Sequence, residues 1–443
     1  MDHKRPAYLF IVRMMKGLKG KKLLVLGGKA ATVNVVQLAK KMGIETYVTG
    51  IQEGGQAKEI ADHTLLVGSE EHEKLIDYIR ANHIDGVMTG SAEFQVREMI
   101  RLCAKAGLPC YATEAQWIAT QDKRNFKDLC KRFGIPGVPE YSLTDVLNDE
   151  DFPVIVKPVD SCSSIGISIC RNNEELAIAK EKALEASASK KILIERYIDN
   201  GGLTHVVKYV VVDGKFYMEI MGDRHVLNNG LITAITFFPS RNTELYMNTI
   251  DSKVKDAFLS IGFNNGVFFF QALPDGDNIY VYEMGLRTGG GMTYKITEAT
   301  SGNNDLEMLI NFALSGRMCG EQETLCIDPF LKGKQAASLA IPLRIGTIAK
   351  VMGMELIPQM EGVVNFTHFC DIGDSILPKH INTLSQLYGR IMVVRNSKKE
   401  LFESLKTIRD TISVFDIDGN DMIIWDTFDM IYNDFCYKCD IQQ

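Results

Sequence analysis

Apolar and polar positions follow two rhythms along this chain. At the front, short apolar runs ending in glycine alternate with segments whose apolar residues recur every three or four positions. "KLLVLGG" predicts a buried parallel strand with a glycine turn, and "AATVNVVQLAKKMG" predicts a helix closed by Gly43. "IETYVTG", "HTLLVG", the helical "EEHEKLIDYIRANH" and "IDGVMTG" continue the series. This pattern predicts a doubly wound α/β domain over residues 1–117. The turn "GGKAATVN" lacks the later glycines of a dinucleotide fingerprint, and no acid ends the second strand. It reads as scaffold, with Gly27 and Gly28 near a substrate, rather than as an NAD site.

The middle of the chain changes character. "DKRNFKDLCKRFGIPGVP" predicts a helix that stops at Gly134, with Pro136 and Pro139 forcing an extended exit. "FPVIVKP" and "SIGISIC" predict strands, and "NNEELAIAKEKALEASAS" a helix capped at Asn172 or Asn173. After the strand "KKILIERYI" come two hairpins, one turned at Asp213-Gly214 and one at "PDGDN". This is an α+β domain over residues 118–325, with a lid at about 140–200. From residue 326 to 443, "SLAIPLRIGTIAKVMGM" and "GRIMVVRNSKKELFESLKTIRDTISVFD" predict a small α/β module of strands, one long helix and a final extended segment. No internal repeat or low-complexity tract is present.

Composition narrows the class. At 443 residues the chain exceeds one ordinary core. It is 46% hydrophobic and 24% charged, as a soluble enzyme is, and its net charge of −7 argues against a nucleic-acid partner. No apolar run reaches membrane-spanning length. The opening "MDHKRPAYLFIVRMMKGLKGKK" lacks the clean centre of a signal peptide and reads as a short helix, with a surface-associated amphipathic helix as the alternative. The ten cysteines are scattered, as in a reduced cytoplasmic protein. Cys436 and Cys439 in "CYKC" lack a second pair and read as incidental thiols before zinc or redox ligands.

Four pieces of chemistry stand in order. Lys123 opens a helix. Lys157 ends an apolar strand and precedes "DSCSSIG", where hydroxyls and backbone N–H groups can fold over phosphate oxygens and Gly166 permits close approach. Glu195 follows the strand "ILI". Gln271 in "FFFQAL" is followed by Glu283 and Arg287 in "VYEMGLRTGGG".

On these residues the chain resembles the ATP-grasp enzymes, and within them the carboxylate–amine ligases. The order of parts is similar to biotin carboxylase, the purine-pathway ATP-grasp ligases and the L-amino acid ligases. The resemblance implies an N-terminal pre-ATP-grasp domain, a central ATP-grasp domain with a lid and a small C-terminal module. It implies ATP and Mg²⁺, with Mn²⁺ as a substitute, and small-molecule carboxylate and amine substrates. It also implies a homodimer without membrane insertion. Lys123, Lys157, Ser163, Ser164 and Gly166 would hold the phosphates. Glu195, Tyr197 and Ile198, with Arg196 among them, would form the adenine hinge. Glu283 and Gln271 would face the metal, and Arg287 would grip the transferring phosphoryl group. Arg224 and His225 fall where relatives carry basic residues near the phosphates.

The chain departs from that pattern in places. Leu203 and Thr204 stand where an acid would meet the ribose, which leaves Asp199 as the substitute. Gln271 replaces an acid, and Gly285 replaces an Asn or Asp. The Val-Glu-His stretch of biotin carboxylase is missing, which argues against bicarbonate. A purine-type ligase would want a basic pocket in the first domain, yet residues 24–50 offer only Lys29, Lys40 and Lys41. The reading from another class is a catalytically weak ATP-binding sensor or scaffold.

Overall fold

The computed structural model of the chain describes residues 17–160, 166–227, 232–320 and 325–441. Ser163 and Ser164, expected in the phosphate loop, lie outside the described residues, as does most of the expected N-terminal helix.

The first unit is a parallel sheet of β1 (Lys22–Leu26), β2 (Glu45–Thr49), β3 (His63–Leu65) and β4 (Gly86–Thr89), in the order β3-β2-β1-β4. Leu23 to Leu26 are buried in succession, because helices cover both faces of a parallel sheet. Among these helices are α1 (Ala30–Lys41), α2 (His72–Asn82) and α3 (Glu93–Ala106). Chain order reverses between β1 and β4, so their carboxyl ends open the crevice where doubly wound folds take ligands. Gly27 follows β1 there, and Glu93 opens the helix after β4.

Two helices lead out of this unit, α4 (Glu114–Gln121) and α5 (Lys123–Arg132). The Asp122 carboxylate caps α5 by accepting from the N–H groups of Arg124 and Asn125. A small sheet follows, made of β5 (Glu140–Tyr141), β6 (Val154–Pro158), β7 (Ser168–Cys170) and β8 (Ile192–Arg196), ordered β5-β8-β6-β7. Helix α6 (Asn173–Ala186) packs on it, capped by the Asn172 side chain. These elements occupy the segment expected as a lid.

The body is an eight-stranded antiparallel sheet. Its strands are β9 (Leu203–Val212), β10 (Lys215–Val226), β11 (Thr233–Phe238), β12 (Gly266–Asp275), β13 (Asn278–Gly285), β14 (Gln335–Pro342), β16 (Val363–His368) and β18 (Leu387–Arg395). They run in the order β13-β12-β9-β10-β11-β14-β18-β16. The β9–β10 turn places Asp213 and Gly214 at φ of 48° and 76°, the left-handed pair a tight hairpin requires. One face of the sheet packs on helix α7 (Asp251–Ser260), where Phe258 stacks on Phe268 with ring centroids 4.1 Å apart. The loop after β13 leads to α8 (Tyr294–Ser301) and α9 (Asp305–Ser315).

The sheet continues past residue 325, because β14 hydrogen-bonds to β11 and carries β18 and β16 with it. Beside these strands lie β15 (Gly346–Met352), β17 (Ser375–Ile376), β19 (Ser413–Asp416) and helix α10 (Lys398–Thr411). The expected final extended segment is β19. It is followed by a helix the sequence reading omitted, α11 (Asp426–Ile441), which buries Thr427 and Phe428. Cys436 lies on α11 as a free thiol.

Candidate active site

The face of the large sheet away from α7 carries the candidate site. In the β12–β13 hairpin, Gln271 lies directly opposite Glu283, which sets their Cβ atoms about 5 Å apart. Glu283 is half-buried and has no hydrogen-bond or ion-pair partner among the described residues. A carboxylate so placed fits a hard divalent cation, and Mg²⁺ commonly takes only one or two protein carboxylates. Gln271 fits less well. Its Oε1 accepts from Arg224 Nη1 at 2.6 Å and from the Tyr282 hydroxyl at 2.7 Å, so both lone pairs are used. Burial pushes the Tyr282 hydroxyl up to about 12, which keeps it a donor.

Gly285 has a packing reason. It pairs with Phe269 across the hairpin, and any side chain at Gly285 would collide with the Phe269 ring. That ring supports Arg287, whose guanidinium carbon stands 5.1 Å from its centroid. Arg287 also donates from Nη1 to the Thr288 carbonyl at 3.1 Å and from Nη2 to Glu93 Oε1 at 2.9 Å. Glu93 belongs to the N-terminal unit, so its crevice and the loop after β13 wall one space. Tyr111 donates to the Leu286 carbonyl at 3.1 Å and ties the two units together.

The small sheet carries a second group of the expected residues. Lys157, at the end of β6, is buried, with Nζ 2.5 Å from Glu195 Oε2. Lys123, the first residue of α5, reaches the Pro158 carbonyl at 3.4 Å, beside the same strand end. Gly166 adopts φ +78° and packs so closely on Ala186 and Pro158 that a Cβ would not fit. Tyr197 follows β8 with its N–H on the Pro153 carbonyl at 3.0 Å, and Ile198 is buried next to it. Arg196 turns to Asp275 at 2.5 Å. Asp199 is exposed, and its Oδ1 accepts weakly from the Gly201 N–H at 3.4 Å.

One residue without a role in the sequence reading joins the site, and one reading needs revision. Lys127 sits on α5, where a lysine would ordinarily be solvated. It is only 18% exposed and bridges Glu195 and Glu140, the latter at 2.9 Å. His225 was placed with the phosphate ligands, but strand alternation turns it to the face opposite Arg224. There it meets Phe237 edge-on at 5.9 Å. Sequence reasoning also missed Glu93, Tyr282 and Arg390. Arg390 did leave a signal, because "GRIMVV" sets a cation inside an apolar strand.

Comparison with known proteins defines the fold. Residues 130–225 match the family model described as D-ala D-ala ligase C-terminus. The L-amino acid ligase of Bacillus licheniformis superposes with a TM-score of 0.72 at 19% identity, over 90% of this chain and 99% of that one. The biotin carboxylase domain of Hydrogenobacter thermophilus 2-oxoglutarate carboxylase, crystallised with MgADP, ADP and bicarbonate, gives 0.72 at 21% identity over 91% of each chain. The chain thus has the ATP-grasp fold. In sequence it is 25% identical over 335 residues to the 2-oxoglutarate carboxylase small subunit of the same organism, spanning 69% of both chains. It spans less than two thirds of several other curated relatives. Among the described residues no helix is long and apolar enough to cross a membrane.

Proposed function

We propose that this chain is an ATP-dependent, ADP-forming carboxylate–amine ligase that works through an acyl phosphate on small carboxylates or amino acids. What supports the reading is a carboxylate, Glu283, set opposite Gln271 on the large sheet, with Arg287 in the loop that follows it, and a lysine, Lys157, at the end of a strand of the small sheet. A substrate carboxylate oxygen attacks the γ-phosphorus of ATP and ADP leaves. An amine then attacks the acyl carbon, phosphate leaves, and an amide remains.

Lys157 and Lys123, both on rigid element ends, hold the phosphate chain. Arg287 offers a planar fork to the transferring group, pre-oriented by Phe269 and the Thr288 carbonyl. Glu283 would hold Mg²⁺, which supplies charge neutralisation at the β- and γ-phosphates when bound. The lid excludes water that would hydrolyse the acyl phosphate.

The test is ADP release with MgATP and pools of amino acids and small carboxylic acids, with hydroxylamine to trap the acyl phosphate. Acid-dependent ADP together with a hydroxamate is the expected result, abolished by Glu283→Ala. ATP binding without ADP release in any pool would refute the ligase reading and favour a nucleotide-binding sensor, the reading that the engaged Gln271 supports.

A further inference from the structure

Two arginines on the site face have no acid to answer them. Arg224 on β10 donates only to neutral acceptors, Gln271 Oε1 at 2.6 Å and Thr233 Oγ1 from Nε and Nη2 at 3.1 and 2.8 Å. Arg390 on β18 is buried and donates from Nη1 to Ser338 Oγ at 3.2 Å. Neither forms an ion pair among the described residues.

The register puts the two on one face. Arg224 lies opposite Thr236, Thr236 lies opposite Ser338, and the Ser338 hydroxyl takes Arg390. Thr367 lies opposite Arg390 on β16. Between the arginines the strands thus carry the hydroxyls of Thr236 and Ser338, which donate to an anion as readily as they accept from a cation. The two cations feel each other, because the Arg390 guanidinium is lowered to about 10, first by burial and then by Arg224.

Of the buried lysines, Lys58 rests on the carbonyls of Gly50 and Gln52, whereas Lys208 and Lys157 are neutralised where they stand. Lys208, on the same face, has Asp305 at 2.7 Å and Glu219 at 3.1 Å. Lys157 has Glu195. A fold gains no stability from a buried cation that lacks a counter-charge. Half-buried Arg224 and buried Arg390, on one face across β11 and β14 and without an acid, are explained by an anion supplied from outside.

We infer that Arg224 and Arg390 form an oxyanion subsite for the acid substrate, a carboxylate or phosphate ester lying over β11 and β14. The subsite begins beside Gln271 and Glu283 and extends away from the lid toward the C-terminal strands. Its role in ligation rests on the proposed function, whereas its anion binding does not.

The test uses the full chain with Mg²⁺ and the non-hydrolysable ATP analogue AMPPNP, so that the nucleotide phosphate positions are filled. Inorganic phosphate and succinate are titrated in separate arms by calorimetry. Binding of phosphate alone identifies a phosphate ester as the natural group, and binding of succinate identifies a carboxylate. Arg390→Met is expected to weaken the bound anion at least tenfold, to leave AMPPNP affinity within twofold, and to raise the Tm by removing like-charge repulsion. Arg390→Lys should restore part of the anion affinity without the fork geometry.

The inference is overturned if neither anion binds the wild type, or if Arg390→Met leaves anion affinity unchanged. It is also overturned if that variant weakens AMPPNP as much as the anion, or lowers the Tm as a purely structural arginine would. Failure of AMPPNP itself to bind would instead sink the ATP reading, and the anion comparison would still stand without nucleotide.

Discussion

Lys157 Nζ stands 2.5 Å from Glu195 Oε2, which joins the strand entering the small-residue loop to the strand leaving the lid. Lys127 holds the other carboxylate oxygen, so two lysines share one buried acid. Glu195→Gln leaves both cations short of charge and is expected to cost about 3 kcal/mol, the scale of breaking a buried pair from one side. Urea unfolding reads this directly. AMPPNP affinity should fall at least tenfold in the same variant, because Lys157 loses its fixed position. An unchanged urea midpoint would mean that the pair contributes nothing to the lid.

Glu283 and Gln271 face each other across a hairpin but differ in what they can give a metal. Glu283 has a carboxylate without a partner among the described residues, while the Gln271 oxygen is engaged by Arg224 and Tyr282. With AMPPNP present, Glu283→Gln is expected to weaken Mn²⁺ binding by at least a hundredfold, followed by the electron paramagnetic resonance signal of free Mn²⁺. Gln271→Ala should leave Mn²⁺ affinity within about threefold. A large loss in Gln271→Ala would make that amide a ligand after all.

The legible part of this protein was what local pattern encodes. The "KLLVLGG" strand, the Asp213-Gly214 hairpin and the Asn172 cap follow from burial, left-handed turn geometry and side-chain capping, all local. Glu283 and Arg287 stood out because a short motif joins them. Glu93 was silent, and Arg390 gave only the signal of a cation inside an apolar strand, because their partners lie far along the chain, Ser338 at a separation of 52 residues from Arg390 and Arg287 at 194 from Glu93. His225 was misassigned for a related reason, since it adjoins Arg224 in sequence yet faces the other way in a strand. The continuity of the sheet past residue 325 rests on β11–β14 pairing, which no local pattern announces.

Arg287 Nη2 donates to Glu93 Oε1 at 2.9 Å across the boundary between the N-terminal unit and the body. Glu93 is 43% exposed, so the pair is worth only about 0.2–1 kcal/mol. That acid competes with any phosphate oxygen for the same guanidinium edge. Glu93→Gln should therefore tighten AMPPNP binding, by up to about fivefold at low salt, with the gain shrinking as salt rises. Fluorescence titration at two ionic strengths checks this. Weaker binding in the variant would show that Glu93 orients Arg287 rather than competing for it.

Glu219 offers a test of pH dependence. It is buried beside Lys208 and Asp305, and burial raises its carboxyl to about 7, against the pull of Lys208. The folded chain thus holds this proton more tightly than the unfolded chain, in which the carboxyl keeps its ordinary value of 4.5. A raised pKa contributes stability that is fully present below 4.5 and is lost as pH climbs through about 7. Acids with lowered values, such as Asp223 and Glu140, contribute the opposite slope, since their stabilisation is lost as pH falls. The quantity to read is therefore the difference between wild type and Glu219→Gln, which keeps the shape of the side chain and removes its titration. Relative to wild type, that variant is expected to gain on the order of 2 kcal/mol between pH 5 and pH 8 in urea unfolding. Parallel pH curves for the two proteins would show that Glu219 stays ionised throughout, with Lys208 and its neighbours absorbing the charge.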